Sequence, residues 1–301
     1  MKKINISFSS EKEKENFVLE CEKNFHKRLR DVSEKVVGSG ADIILLSGPT
    51  CSGKTTLANK IIRDFGKINK RVIVISLDDF FLDRFDMRKV DENKRIDYDS
   101  IDALDFACLS KCIADIKAKG EFSVPKYDFL TQSRVSYTNY TFTENTVIML
   151  EGIQAVYPEI TSLFSENDHI GIFANVENDV EINGVFFCRD DIRLSRRIVR
   201  DKKFRGATAD FSLYLWEGVR ENEDKCIYPN KNICTVQMDS FLEYELFVLK
   251  DYIIDILKDV EVGSKYYTKA RELTEKFSRI DSISYDYTPK NSLYTEFLGK
   301  K

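Results

Sequence analysis

The sequence predicts an α/β fold in which helices cover both faces of a central, mainly parallel β-sheet. Three short apolar runs, at residues 42–46, 71–77 and 146–150, have the length and composition of strands, and helical segments separate them. The run at 71–77 is continuous and β-branched, which is typical of a parallel strand buried on both faces. A glycine-containing loop joins the first of these strands to a helix, as in α/β sheets that bind ligands at the carboxyl ends of their strands.

The composition argues against several classes of protein. The 46 basic and 50 acidic residues give a net charge of −4, so we expect no nucleic acid as main partner. No run of about 18 apolar residues occurs, so we expect no membrane partner and a cytoplasmic location. Seven cysteines without a C-x-x-C pair indicate reduced thiols. With only two histidines, neither in a motif, any catalytic base is expected to be a carboxylate.

Residues 10–37 are predicted to form one amphipathic helix, because apolar side chains recur at steps of three and four from Phe17 to Val36. The chain therefore divides into an N-terminal helix at 1–40, packed on the body, and a main domain at 41–301 that carries the sheet.

The phosphate-binding motif G-x-x-x-x-G-K-[ST] occurs at residues 48–55, between the strand at 42–46 and a helix at 54–65. Its glycines let backbone N–H groups surround phosphate oxygens, and the helix N-terminus adds partial positive charge. Lys54 is expected to reach the β and γ phosphates, and the Thr55 hydroxyl to ligate Mg²⁺. A plain glycine turn is the alternative. The residues expected to bind nucleotide here are Gly48, Ser52, Gly53, Lys54, Thr55 and Thr56.

Cys51 in this loop has two interpretations. It is either a reactive thiol that ATP protects from alkylation, or an inert side chain facing the core.

Acidic residues follow two of the predicted strands. Asp78 and Asp79 come after the run at 71–77, and both are expected to face the phosphates. Glu151 ends the strand at 146–150, which is the position of a carboxylate near Mg²⁺ or its water shell. A helix cap or a solvated loop is the alternative for the aspartate pair.

An arginine stripe is the most informative feature downstream. Arg193, Arg196, Arg197 and Arg200 share one face of a helix, where like charges repel unless an anion or acidic groups lie among them. We interpret residues 190–210 as a lid over the transferring phosphate, with Arg200 and Arg205 as the contacts. The alternative is a helix face in salt bridges with Asp190, Asp191 and Asp201.

The other segments complete the main domain. Residues 82–98 are polar and aperiodic and are expected to form a loop over the site. Alternation at 121–145 predicts a hairpin insertion that walls off a substrate pocket. Helices are expected at 100–119 and 216–226, strands at 169–176 and 233–236, and C-terminal helices within 241–301, at 241–257 and 265–277.

The order of these motifs resembles the uridine kinase and phosphoribulokinase-like family of P-loop kinases, and within it the bacterial uridine kinase-type nucleoside kinases. The matching stretches are residues 48–56, 76–81, 97–106, 125–134, 147–152 and 193–206. The resemblance implies a P-loop NTPase fold of the nucleoside-kinase type, a three-layer sandwich with an Arg-rich helical lid and a substrate-side hairpin.

The resemblance also implies roles for individual residues. Asp78 would take the proton from the acceptor hydroxyl and help to hold Mg²⁺, and Asp99 and Tyr127 would contact the sugar and base. Lid arginines would be Arg197, Arg200 and Arg205, with Arg197 on the nucleotide. In uridine and cytidine kinases a histidine usually stands five residues after the tyrosine, and Gln132 takes its place here. The Arg-Gly-Arg end of their lid reads Arg205-Gly206-Ala207.

These observations favour an ATP- and Mg²⁺-dependent phosphotransferase acting on a small hydroxyl acceptor, most of all a nucleoside 5'-OH. Two alternatives stay open: a related kinase of a sugar phosphate or a pantothenate-like alcohol, and a nucleotide-operated switch without turnover. A GTPase switch would need N-K-x-D, and none of the four Asn-Lys pairs has Asp three residues after the Asn. A homo-oligomer is also left open.

Overall fold

The structure is a computed structural model, and it describes residues 1–87, 98–165 and 168–300. The strands in these ranges are β1 (Lys2–Ile4), β2 (Ile43–Ser47), β3 (Arg71–Ser76), β4 (Glu121–Asp128), β5 (Ser133–Thr141), β6 (Thr146–Glu151), β7 (His169–Asn175), β8 (Val180–Ile182), β9 (Val185–Phe187) and β10 (Val236–Asp239). The helices are α1 (Glu11–Gly38), α2 (Lys54–Lys67), α3 (Phe106–Lys117), α4 (Pro158–Thr161), α5 (Arg189–Arg205), α6 (Ala209–Asn222), α7 (Glu245–Leu257), α8 (Tyr267–Ser278) and α9 (Thr295–Leu298).

Five parallel strands form the central sheet, in the order β10-β7-β2-β6-β3. Their register aligns the carboxyl ends of β2, β6 and β3, because Glu151 of β6 pairs with both Leu46 of β2 and Ser76 of β3. The segments that follow β2, β3 and β6 therefore leave the sheet side by side. In open α/β sheets this end of the strands is where ligands bind.

The two faces of the sheet are buried under different helices, as the alternation of side chains along a strand requires. Ile44 and Leu46 of β2 belong to the core that includes α1, α2, α5, α7 and α8, whereas Ile43 and Leu45 belong to the core that includes α3 and the hairpin β4–β5. Helices thus lie on both sides of a mainly parallel sheet, and the predicted α/β architecture is confirmed.

Most predicted elements are confirmed, with shifted ends. The helix at 10–37, the hairpin at 121–145 and the strands at 42–46 and 146–150 are all present. The strand expected at 233–236 lies three residues later, as β10, and the helix expected from 241 begins at Glu245. The helix expected from residue 100 begins at Phe106, after a short 3₁₀ turn. Most of the loop expected at 82–98 lies outside the described residues.

One prediction about burial is wrong. The run at 71–77 was expected to be buried on both faces, but β3 is at the edge of the sheet and Val74 is 38% exposed. A β-branched run predicts that a strand forms, but it does not predict whether this strand is central or at the edge of the sheet.

A second sheet was not predicted. β1 pairs in parallel with β8, and β8 pairs with β9 through a tight turn at Asn183 and Gly184. These strands have three residues each, which is too short for a visible alternation.

The two ends of the chain pack on the same side of the central sheet. α1 lies against α2 and β10, and buried Glu22 of α1 accepts a hydrogen bond from Tyr244. The tail from residue 281 contains several aromatic residues, which predicts that it packs on the body, and Tyr294 and Phe297 are buried there. The division of the chain at residues 40 and 41 stays a prediction. Within the described residues, none of the helices has both the length and the apolar character needed to span a membrane.

Candidate active site

The loop between β2 and α2 has the geometry of a phosphate cradle. Gly48 has φ of +150°, and a Cβ there would lie 2.0 Å from the carbonyl oxygen of Ala174, so only glycine fits. Gly53 is left-handed at the N-cap of α2, and Cys51 is also left-handed, with φ of 57°. These turns bring the loop back over the start of a 14-residue helix, where unpaired N–H groups and the helix dipole favour an anion.

Side chains of the motif surround this loop. Lys54 Nζ donates to the carbonyl oxygens of Gly48 and Pro49, at 2.9 and 3.2 Å. Thr55 is exposed and Thr56 is half-buried, both in the first turn of α2. Ser52 is buried, and its Oγ has no hydrogen-bond partner among the described residues. The motif residues predicted to bind nucleotide thus lie together on one loop and helix start.

Cys51 is 5% exposed and belongs to the hydrophobic core. Of the two interpretations of this thiol, the structure supports the inert, core-facing one.

Two buried arginines of α5 form hydrogen bonds with the phosphate loop. Arg196 is fully buried and uses all five of its donors: two hydrogen bonds go to Glu245, two to Ser240 and one, of 3.0 Å, to the carbonyl oxygen of Cys51. Arg193, also fully buried, binds Glu223 through both terminal nitrogens and lies 3.4 Å from the carbonyl oxygen of Thr50. Both guanidinium groups therefore contact backbone carbonyls of the phosphate loop.

The lid prediction needs correction for these two residues. The helical stripe at Arg193, Arg196, Arg197 and Arg200 was interpreted as one surface facing phosphate, but its first two members are internal. They are neutralised by Glu223 and Glu245. Arg193 also forms an ion pair with Asp190 at 2.9 Å, so the alternative of a salt-bridged helix face is confirmed in part. The partners Glu223 and Glu245, however, lie 30 and 49 residues away and fit no motif.

The second half of α5 remains available to a phosphate. Arg197, Arg200 and Arg205 all form ion pairs with the buried carboxylate of Asp201, at 3.3, 2.8 and 3.3 Å. Three cations on one anion leave net positive charge there. Burial and the positive charge of Arg200 lower the pKa of Arg205. Both Arg200 and Arg205 are within electrostatic range of Cys51, so this charge lies near the phosphate loop.

Two carboxylates meet beside Lys54. Asp78 follows β3 and Glu151 ends β6, and the register places these strand ends side by side. Asp78 reaches solvent, but neighbouring protein atoms desolvate its carboxylate. This desolvation and the negative charge of Glu151 raise its pKa to about 6, against the opposing effect of Lys54.

The same residues fit a magnesium ion. The negative charge of Glu151 raises the pKa of Asp78, so a cation between the two carboxylates would be favourable, and Thr55 supplies a hydroxyl oxygen in the first turn of α2. Oxygen donors are what Mg²⁺ prefers, and it commonly binds through one or two protein ligands plus substrate phosphates. Accordingly, the described residues contain no cluster of three His, Cys, Asp or Glu side chains able to hold a metal alone.

Asp79 differs from its neighbour. It was expected to face the phosphates with Asp78, but it forms an ion pair with Lys126 at 3.0 Å and accepts a hydrogen bond from the N–H of Tyr127. Asp79 therefore fastens the β4–β5 hairpin to the end of β3.

The hairpin carries the predicted acceptor residues. Tyr127 is buried against Phe81, with ring centroids 5.7 Å apart, and its hydroxyl has no hydrogen-bond partner among the described residues. Gln132, at the hairpin turn, has a left-handed backbone, and its buried Oε1 is likewise unpartnered in the described part of the chain. The backbone of Asp99 is held by a hydrogen bond, because its carbonyl oxygen accepts from the hydroxyl of Tyr157. Buried polar atoms without partners favour a polar ligand.

The chain is similar to known proteins of one family. The sequence model of the Phosphoribulokinase / Uridine kinase family matches residues 43–243, which is more than half of the chain. A uridine kinase of Ureaplasma parvum is 29% identical over 197 residues, covering 65% of this chain and 86% of that protein. Uridine-cytidine kinase B of Dictyostelium discoideum is 32% identical, covering 63% and 70%. A solved structure from Bacillus stearothermophilus, described as a possible uridine kinase, aligns with a TM-score of 0.48 at 17% identity, covering 72% of this chain and all of that one.

Proposed function

This chain belongs to the Phosphoribulokinase / Uridine kinase family, a family of kinases, and we propose that it transfers the γ-phosphate of ATP to the 5'-hydroxyl of a nucleoside in a Mg²⁺-dependent reaction. The observation that carries this proposal is that the carboxyl ends of β2, β3 and β6 are adjacent. The phosphate loop after β2, Asp78 after β3 and Glu151 at the end of β6 lie side by side. Phosphoryl transfer needs these parts in one place, since its catalysis is mainly positioning and charge stabilisation.

In the proposed reaction the cradle and the cations hold the phosphates. Backbone N–H groups of the loop and the N-terminus of α2 bind phosphate oxygens, and Lys54 leaves the carbonyls of Gly48 and Pro49 to bind them as well. Arg200 and Arg205 stabilise charge on the transferred group, and Arg197 binds the nucleotide. Mg²⁺, held through Thr55, Asp78 and Glu151, would offset phosphate charge.

Asp78 is proposed as the general base. A base works best when its pKa lies near the working pH, and desolvation together with Glu151 raises the pKa of Asp78 to about 6. At neutral pH this carboxylate is mostly ionised yet more basic than an ordinary aspartate. It would accept the proton of the acceptor hydroxyl as the oxygen attacks phosphorus.

A nucleoside acceptor is favoured by the hairpin and by the relatives. Tyr127 and Gln132 present a phenol and an amide whose buried oxygens have no hydrogen-bond partner among the described residues, and both groups donate and accept as a base edge requires. With Asp99 they form the proposed acceptor site. The two relatives above are a uridine kinase and a uridine-cytidine kinase.

A second candidate is a kinase of another alcohol, such as a sugar phosphate or a pantothenate-like compound. Gln132 favours it, because this residue replaces the histidine usual in the kinases that the chain resembles. We also propose the cytoplasm as the place of action, in line with seven free thiols.

The test is transfer of labelled phosphate from ATP with Mg²⁺ to uridine, cytidine, purine nucleosides, ribulose 5-phosphate and pantothenate. Transfer to a nucleoside supports the proposal, and transfer only to another alcohol supports the second candidate. Asp78→Asn should lower turnover by about 10²- to 10⁴-fold with nucleotide affinity nearly intact. The matched control is Asp79→Asn, which changes the same charge one residue away on the hairpin side and should lose less than about tenfold. Absence of transfer to every acceptor would contradict the proposal.

A further inference from the structure

The tail of the chain, residues 284–299, packs against the phosphate loop although it lies outside the region that the family model matches. The side chain of Leu293 is 3.2 Å from the position of a Cβ on Gly53. The ring of Phe297 lies 5.5 Å from the guanidinium of Arg196, and Tyr294 donates to Glu245, the partner of that arginine. The tail is therefore built into the support of the loop.

This packing brings a third carboxylate to the phosphate site. Glu296, on the short helix α9, is half-exposed, but its Oε2 is buried and has no hydrogen-bond partner among the described residues. Burial raises the pKa of Glu296, and the positive charges of Lys54, Arg196 and Arg200 oppose that effect, while the negative charge of Glu151 adds to it. The carboxylate thus lies within electrostatic range of the groups that surround the phosphate cradle.

Two of the three cations near Glu296 are open to a new partner. Arg196 is saturated, since all five of its donors are used inside the protein. Lys54 contacts only carbonyl oxygens among the described residues, and Arg200 shares the carboxylate of Asp201 with two other arginines. Glu296 and an incoming phosphate would therefore draw on the same two positive charges.

We propose that Glu296 competes with the nucleotide phosphates for Lys54 and Arg200, so that the C-terminal tail weakens the binding of free nucleotide to the site. This inference rests on the proposed function, because it takes the loop at residues 48–55 as the phosphate site. A carboxylate beside these cations neutralises part of their charge and repels the phosphates directly. Replacement by glutamine keeps the shape and the packing of α9 and removes only the charge.

The expected effect follows from Coulomb's law. A unit charge about 6 Å from a phosphate charge, at an effective dielectric constant of about 30 to 80, changes a dissociation constant about threefold to twentyfold. Glu296→Gln should therefore bind ATP more tightly by a factor in this range. High salt should reduce the difference, because mobile ions screen charges that reach solvent.

The experiment is calorimetric titration of the full-length protein with ATP in EDTA at pH 8, at low and at high salt. The matched control is Glu144→Gln, which removes an exposed carboxylate before β6, at the opposite end of the sheet. Thermal melting verifies that each variant is folded. If Glu296→Gln does not fold, Glu296→Met makes the same charge change with a side chain of similar size.

The outcomes separate the two proposals. Tighter ATP binding in Glu296→Gln but not in Glu144→Gln supports the competition. Unchanged or weaker binding in Glu296→Gln, with wild-type protein that binds ATP, overturns the competition and leaves the proposed function intact. If the wild-type protein binds ATP only with Mg²⁺, the same comparison of variants is made with Mg²⁺ present and read in the same way. Wild-type protein that binds ATP neither in EDTA nor with Mg²⁺ would overturn the proposed function and the inference together.

Discussion

Replacement of Arg196 by methionine should damage stability and nucleotide binding together. The guanidinium is fully buried, forms a bidentate pair with Glu245 and holds the carbonyl of Cys51 at 3.0 Å. Its removal leaves the carboxylate of Glu245 buried without its counter-ion, which costs about 3 to 5 kcal/mol in comparable sites. At about 2 to 4 °C per kcal/mol for chains of this order of size, the midpoint of thermal unfolding should fall by roughly 6 to 20 °C.

The double variant Arg196→Met with Glu245→Gln separates the two effects. The amide introduced by Glu245→Gln would keep its oxygen as an acceptor for the N–H of Leu242, and its NH2 group would donate to the Tyr294 hydroxyl, so no buried charge remains and most of the lost stability should return. The carbonyl of Cys51 still lacks its donor in this variant, and the loop is less well ordered. ATP affinity should therefore stay about tenfold below that of the wild type, which corresponds to about 1.4 kcal/mol, one hydrogen bond to a charged group.

Both quantities are measured on the same samples, by thermal unfolding and by ATP titration. An unfolding midpoint of Arg196→Met within a few degrees of wild type would refute the argument that the pair is internally compensated. Full recovery of ATP affinity in the double variant would show that Arg196 acts on the loop only through general stability.

Three further predictions concern residues of the proposed active site. Carbon-detected NMR of the protein without nucleotide should show the carboxyl of Asp78 titrating with a pKa near 6. Glu151→Gln should lower this pKa, because a neighbouring negative charge is removed. An unchanged pKa would show that the two carboxylates are not coupled. Since the folded-state pKa lies above the ordinary value of 3.8, the stability contributed by Asp78 is present in full below about pH 4 and is lost as the pH rises through about 6, and Asp78→Asn should remove this dependence. Gln132→Ala should raise the KM for the acceptor about tenfold with kcat changed less, because the amide binds rather than reacts; an equal loss in kcat would place Gln132 in the chemical step.

The central sheet and its phosphate loop could be predicted because their signals are local. A run of four apolar residues, a glycine pattern and a helix start lie within 25 residues of one another in the stretch from residue 43, and each part constrains its neighbours. The same holds for Asp78 and Glu151, which end their strands. Asp79 could not be told apart from Asp78, since only the packed hairpin shows that Lys126 and the N–H of Tyr127 occupy it.

The features that could not be predicted depend on contacts between residues that are distant in sequence. Helical spacing predicted that the arginines of α5 share a face, and the sequence offered Asp190 and Asp201 as nearby acidic partners, which the structure confirms. Glu223 and Glu245 could not be predicted, because they are distant in sequence. Glu296 gave no signal of its own, because the aromatic residues of the tail predict only that it packs on the body, and not that it reaches a loop some 240 residues earlier. Tertiary packing decides both cases.

The division of α5 limits how a lid could work in this protein. Arg193 and Arg196 fix the first half of the helix to Glu223, Glu245 and the phosphate loop itself, so this half cannot swing away without breaking buried ion pairs. Such a break would cost several kcal/mol, more than the binding of a single phosphate contact returns. In the proposed function, closure over the phosphates would come from the second half of the helix, through rotation of the Arg200 and Arg205 side chains from Asp201 toward the nucleotide. A helix anchored at one end and charged at the other positions its arginines in advance, which lowers the entropy lost when the phosphate is bound.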